Sequence, residues 1–524
     1  MMTHPMIHLR SRPRAAGRWS TVVALSVLAT ACAQSSSSVE QPAPAVTDTA
    51  RPTPAMVVAD TPTTPAFDRS KRPELTAPKP LSLPPLVRRE LPNGLQLVVV
   101  EQHELPVADF VLVVRSGVEA DPAAKAGLAT LTATMLDEGT TTRSALQIAD
   151  QIAFLGGELD TRALWDASAI SLHTPTAQLD SALALFADVA RNPSFATKEL
   201  ERLRQERLTM LLQVKDRGPE IANRAYPAIL FGSDHPYGHP TTGTEASTKA
   251  IARADLQRFF RTFYRPNNAT LIVVGDVTPD DIERRVTRLF GDWQRGNVPA
   301  PTLREPEKPS TTTIYVIDKP GAPQSSFRLA TIGVPRSTED YFAIQVMNTI
   351  LGASFTSRLN NNLRETKGYT YGAGSGFIMR RAAGPFVAQA EIVAAKTDSA
   401  LLEFLKELRA IRDTVSTVEL ARAKQYLQLQ LPGDFETTRD IAGQLVPVVL
   451  YDLPPDYYNT YVQQIERITQ ADVQRVAQKY IDPDAMLVVI VGDRQAIQPA
   501  LEALNVGDVL IRDIEGRPVR DAGR

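Results

Sequence analysis

The chain has 524 residues, 43% hydrophobic and 22% charged, which excludes a solvated, disordered polymer over most of its length and leaves room for several domains. Its 57 basic and 59 acidic side chains give a net charge of −2, without the basic excess of a nucleic-acid binder. One cysteine excludes a disulfide framework or a cysteine-rich zinc module, and six histidines leave few ligands for any other metal site.

Residues 1–31 carry Arg10, Arg12, Arg14 and Arg18 and no acidic residue, so their removal takes the remainder to about −6. The apolar run from Thr21 to Ala29 is too short to span a bilayer, and Thr30-Ala31-Cys32 follows at once. This charged, apolar, small-residue order is that of a secretory signal. The lone cysteine after a small residue resembles a bacterial lipobox with Cys32 as the lipidated new N-terminus, although Ala29 stands where Leu is usual. Cleavage after Ala33 to give a soluble periplasmic chain is the alternative. The expectation is a periplasmic protein, lipid-anchored to a bacterial membrane, the outer one on this reading. Residues 32–87 are rich in Ser, Pro and Thr, with Ser35–Ser38 and eleven prolines between residues 33 and 86. Such a stretch cannot bury a core and reads as a disordered tether.

From Arg88 the chain reads as globular. Leu95–Val100 and Phe110–Arg115 are apolar, β-branched strand signals. Helical periodicity follows over Ala126–Leu136, Leu146–Leu155, Leu179–Ala190 and Glu199–Lys215. Prolines 299, 301, 306 and 309 mark a break before strands resume at Thr313–Ile317. The segment Ile251–Asp276 recurs as Ile468–Asp493 at an ungapped offset of 217, with 9 of 26 positions identical. Both copies run from a helix through a proline into a buried strand ending at Gly-Asp. The chain is therefore expected to be α+β, with two duplicated mixed α/β modules, each a largely antiparallel sheet flanked by helices. The expected boundaries are 88–298 and 313–510, with a linker at 299–312 that lets the halves open and close around a peptide, and a tail at 511–524.

Leu91-Pro-Asn-Gly-Leu-Gln-Leu-Val-Val-Val100, Ser116-Gly117 and Ala126-Gly-Leu-Ala129 resemble the start of the insulinase/pitrilysin family, the inverzincins. His235-Pro-Tyr-Gly238, Tyr264-Arg-Pro266 and Ser357-Arg-Leu…Leu363-Arg-Glu-Thr-Lys-Gly…Tyr371 extend the resemblance over residues 88–505. Active relatives carry H-x-x-E-H on the helix after Gly-Leu-Ala, two histidines on Zn²⁺ and a glutamate activating water. Here Thr130 and Thr134 stand at the histidine positions, Ala133 at the base, and Leu211 at the third ligand. Relocated ligands are a poor alternative. Glu201 and Glu206 alternate with Arg202, Arg204 and Arg207 as an exposed, salt-bridged face, and Asp137 and Glu138 flank the altered motif. His235 and His239 are separated by Pro236 and Gly238, which forbid a shared helix face.

In family heterodimers, one chain brings zinc and the other an Arg and a Tyr that hold the substrate beside it. Arg364 and Tyr371 fall on those positions, the first at the end of a helix closed by Gly368 and the second opening a strand. Read without the family, Arg364 complements a helix dipole, Tyr371 packs in a core, and Tyr369 competes for the role. Gly372–Gly376 leads into Phe377-Ile-Met379 and reads as a strand rather than a phosphate loop. The resemblance implies a non-catalytic subunit that binds no cofactor itself, pairs with a zinc-bearing family subunit, and helps cleave peptides. The alternative is a non-proteolytic scaffold in a membrane-associated complex.

Overall fold

A computed structural model describes residues 84–519. The leader, Cys32, nearly all of the tether and the last five residues lie outside the described residues.

The run Gln96–Glu101 forms β2, flanked by β1 (Val87–Glu90). With β3 (Val107–Val114), β4 (Glu158–Ala163), β5 (Ser168–Pro175) and β6 (Ala269–Gly275) it makes a six-stranded sheet in the order β1-β2-β6-β3-β5-β4. The second sheet comprises β7 (Thr313–Asp318), β8 (Gln324–Ile332), β9 (Ala373–Phe377), β10 (Pro385–Val393), β11 (Leu487–Gly492) and β12 (Asp508–Arg512). Its order, β12-β7-β11-β8-β10-β9, repeats the first. In both, a parallel pair (β2 with β6, β7 with β11) precedes an antiparallel run, but the outer edges differ: β1 joins β2 antiparallel, whereas β12 joins β7 parallel. The duplicated strands end alike at Gly275 and Gly492, where an added Cβ would meet the Val107 carbonyl at 2.3 Å or the Ser325 hydroxyl at 2.7 Å. The expected α+β duplication is the observed architecture.

Each sheet is buried on both faces, which is why its central strands read as continuous apolar runs. Leu97, Val99, Phe110 and Leu112 point into a core of the first module around Phe186 and Phe290. Val98, Val100, Val111 and Val113 point the other way, onto the Thr438–Leu450 helix of the second module. Reciprocally, the Gly218–Phe231 helix of the first module lays Ile221, Ala222, Ala225 and Tyr226 on Val489 and Val491 of the second sheet.

The modules thus exchange helices, and polar bonds lock the exchange. Thr438 donates to Asp109 at 2.6 Å, Arg439 meets Glu158 at 2.8 Å, and Arg328 donates to Asn223 at 2.8 Å. The linker lies fixed along this body: the Arg304 carbonyl accepts from His235 Nε2 at 2.9 Å, and Thr312 donates to Pro483 at 2.9 Å. Opening about residues 299–312 would tear two apolar faces from their cover, so the expected clam-like movement gives way to one interlocked body.

Candidate functional site

The helix Leu128–Thr134 starts at Gly127, whose φ of 87° is open to glycine at low cost. Its first turn is capped by Asp121, which accepts from the backbone N–H groups of Gly127 and Ala129, both at 2.7 Å. Thr130, Ala133 and Thr134 lie on this helix. The Thr130 hydroxyl donates to the Thr241 carbonyl, and that of Thr134 to the Thr130 carbonyl at 2.8 Å. The Ala133 methyl is fully buried, and Leu211 is buried on the helix Thr197–Val214. Two hydroxyls committed to carbonyls, a methyl and an isobutyl group do not fit Zn²⁺, which takes imidazole, thiolate or carboxylate donors.

The other donors considered in the sequence have partners of their own. Arg202 pairs with Glu199 at 2.8 Å and Glu206 at 2.7 Å on an exposed face, whereas Arg204, paired with Glu201 at 3.1 Å, is largely buried and also donates to the Ile251 carbonyl at 2.9 Å. Glu138 is drawn to Arg202, and Asp137 accepts from Thr161 at 3.5 Å. Arg207 departs from that reading. It turns inward and donates to the Gly127 carbonyl at 2.8 Å, and burial lowers its pKa to about 10 against the opposing pull of Asp121, so it stays charged at neutral pH. A fixed cation therefore enters the region where the resemblance places a metal. His103 sits between Asp276 at 2.8 Å and Glu101 at 3.2 Å, and His173 meets Asp109 at 3.0 Å. His235 and His239 flank a short turn, His235 accepting from the Tyr237 N–H at 3.0 Å and His239 bonding the Ser233 carbonyl at 2.5 Å. Among the described residues, no group of three or more His, Cys, Asp or Glu side chains is arranged to hold a metal ion.

In the second module the helix Tyr341–Asn348 continues as a π-helical turn over Thr349–Ala353, and Arg358–Asn360 leads into a second π segment, Asn361–Thr366. Side chains bond carbonyls five residues back, Asn360 to Phe355 at 2.7 Å and Thr366 to Asn361 at 3.0 Å, which suits the wider turn. Gly368 (φ 65°) closes the helix, its N–H bonding the Arg364 carbonyl at 3.0 Å while that of Tyr369 bonds Leu363 at 2.9 Å. Arg364 lies in this last turn, its guanidinium 4.5 Å above the Phe355 ring and 3.3 Å from Glu365.

Tyr371 does not open the strand. Thr370 Oγ1 accepts from the Gly372 N–H at 3.1 Å, the ladder begins only at Ala373, and the Tyr371 ring stands 92% exposed. Tyr369 instead packs against the core. Gly372 precedes β9, so Gly372–Gly376 is strand and approach to strand, as expected.

Sequence reasoning missed a charged network at the seam between the modules. Asp166, 1% exposed, accepts from Tyr237 at 2.7 Å, Tyr451 at 3.0 Å and the Arg381 N–H at 2.7 Å. Arg380 is buried against Trp165 at 3.6 Å and Tyr237 at 4.4 Å. Glu119 accepts from the Gly117 N–H at 2.8 Å, and burial, aided by the charge of Asp166, raises its pKa to about 8. The only sequence signal was the presence of acids and arginines next to strand ends, which does not tell a buried network from a solvated one.

Residues 97–245 match the family model described as insulinase (peptidase family M16), and residues 250–427 match the peptidase M16 inactive domain. An uncharacterized zinc protease of Mycobacterium leprae is 31% identical over 286 residues, 54% of this chain and 64% of that protein. The chain thus spans just under two thirds of that relative's length. An uncharacterized zinc protease of Mycobacterium tuberculosis (strain ATCC 25618 / H37Rv) is 27% identical over 74% of this chain and 89% of its own. A probable mitochondrial-processing peptidase subunit beta of Arabidopsis thaliana is 22% identical, covering 79% and 80%. Among solved structures, a peptidase M16 inactive domain from Pseudomonas fluorescens superimposes with a TM-score of 0.73 at 29% identity, over 78% of this chain and 98% of that one. A protease from Helicobacter pylori shares the fold, with a TM-score of 0.71 at 21% identity, over 78% of this chain and 100% of that one.

Proposed function

We propose that this chain, which belongs to the insulinase (M16) peptidase family, lacks a zinc site of its own and is the non-catalytic subunit of a two-chain peptidase. The observation that carries this reading is the donor set at Thr130, Ala133, Thr134 and Leu211, whose two hydroxyls are engaged by carbonyls and whose other two members have no donor atom. The partner is a family subunit with an intact H-x-x-E-H motif, and the metal belongs to that subunit.

This chain contributes Arg364 and Tyr371. Both are hydrogen-bond donors at the same end of one helix, and Tyr371 is open to solvent. Donors aimed at a scissile carbonyl oxygen orient the peptide and stabilise the negative charge that develops there. The site of action is the periplasmic face of a bacterial membrane, with Cys32 as the lipid anchor. Among the described residues no helix is long and apolar enough to cross a membrane.

The test is reconstitution with a family partner bearing H-x-x-E-H. Cleavage of an unstructured reporter peptide is expected only from the pair, abolished by a chelator, and reduced about 10²-fold by Arg364→Ala. Stoichiometric zinc and chelator-sensitive cleavage in the isolated chain would overturn the reading. Wild-type behaviour of both Arg364→Ala and Tyr371→Phe would favour a scaffold without proteolytic role.

A further inference from the structure

At the seam between the modules lies a cavity of about 570 Å³, bordered by residues 296–301 and lined by Arg115, Ser116, Asn268, Arg381, Tyr451 and Asp452. Its size and its place between two modules are those of a small-ligand site. Two guanidiniums reach it from opposite modules, Arg115 from the end of β3 and Arg381 from the turn before β10.

Arg115 already holds a carboxylate in a two-pronged grip. Its Nη1 donates to Asp452 Oδ2 at 3.0 Å and its Nη2 to Asp452 Oδ1 at 2.7 Å, with the Val449 carbonyl at 2.5 Å from Nη2. Asp452 offers that carboxylate from an unusual place: its backbone is left-handed, with φ of 52°, and its side chain is 73% exposed. A side chain this exposed, held through its carboxylate, is one that an incoming carboxylate can replace. Arg381 is poorly matched by comparison. Its Nη2 reaches two carbonyls, of Arg115 and Asp166, at 3.3 Å each, and its ion pair with Glu119 is long, at 3.9 Å. Burial favours the protonated form of Glu119 near neutral pH, so the carboxylates left to act on Arg381 are Asp166, which accepts its backbone N–H at 2.7 Å, and Asp452.

We propose that this cavity binds a carboxylate, the C-terminus of a peptide or a small dicarboxylic acid, held by Arg381 and by Arg115, with Asp452 as the built-in carboxylate that the ligand displaces. Ser116 and Asn268, which bond each other at 3.2 Å, line the same wall and add neutral polar groups. The site stands apart from Arg364 and Tyr371 and does not depend on a zinc-bearing partner.

The test is calorimetric titration of the full chain with three probes: acetyl-tetra-alanine with a free carboxylate, the same peptide as its C-terminal amide, and succinate. Binding of the free acid or of succinate, but not of the amide, is expected, and which acid binds identifies the source. Arg381→Gln should weaken it more than about tenfold, and Asp452→Asn should tighten it about threefold or more by removing the competitor. The tightening variant keeps the test independent of any folding defect in Arg381→Gln. Equal binding of acid and amide, no binding of either acid to the wild type and Asp452→Asn, or indifference to Arg381→Gln would overturn the proposal.

Discussion

Tyr371 presents its ring almost wholly to solvent, so removing its hydroxyl takes nothing from the core. Tyr371→Phe should change stability by less than about 0.5 kcal/mol in urea unfolding, yet lower cleavage by a reconstituted pair about 10²-fold. A loss of both together would mean that the residue supports the fold instead. Glu119 makes the opposite case, buried and costly to ionise. Burial raises Glu119 to about 8 and Asp121 to about 7, above their ordinary values of 4.5 and 3.8. The native state therefore holds protons that the unfolded chain releases, and this contribution, complete below the unfolded values, is lost as pH rises through 7 and 8. Glu119→Gln should match the wild type near pH 4 and melt at a higher temperature than it above pH 8, which thermal scans across pH will show. Arg207 marks what the sequence concealed at this scale. Its charge suggested an outer face, but Leu203, Arg207 and Leu211 follow one another at helical spacing of four, and Leu203 and Leu211 are buried. That spacing is legible in the sequence but is masked by the alternating Glu and Arg residues around it.

At the scale of elements, the helices and strands that apolar periodicity marked lie within a few residues of their expected bounds, because burial on a single face or on two alternating faces writes itself into the pattern. It did not reveal the π segments around Arg364, which depend on Asn360 and Thr366 reaching carbonyls five residues back. Nor did it place Tyr371 outside β9, since that start is set by the Thr370 side chain rather than by hydrophobicity. Gly368 was legible as a helix stop and has φ of 65° with open space where a Cβ would stand. Gly368→Ala should therefore cost only backbone strain, about 1–2 kcal/mol by denaturant unfolding, and shift the Arg364–Tyr371 segment enough to impair the paired activity.

For the molecule as a whole, the duplication was visible in the 217-residue offset and reappears as two sheets of the same strand order. The helix exchange was not visible, because an apolar helix face does not specify whose sheet it covers. Leu445, 1% exposed, sits on the helix that covers the partner module's sheet. Leu445→Ala should destabilise the chain by about 2–5 kcal/mol, and both modules should still unfold in one transition. Two separated transitions would contradict an interlocked body.

The central claim concerns assembly, and its most direct test is to purify the tagged chain from detergent-solubilised native membranes and weigh what accompanies it. The account predicts a family member with an intact H-x-x-E-H motif in near-equal amount, zinc equivalent to that partner alone, and chelator-sensitive peptide cleavage. Recovery of the chain by itself, carrying one zinc ion per molecule and cleaving peptides unaided, would contradict it.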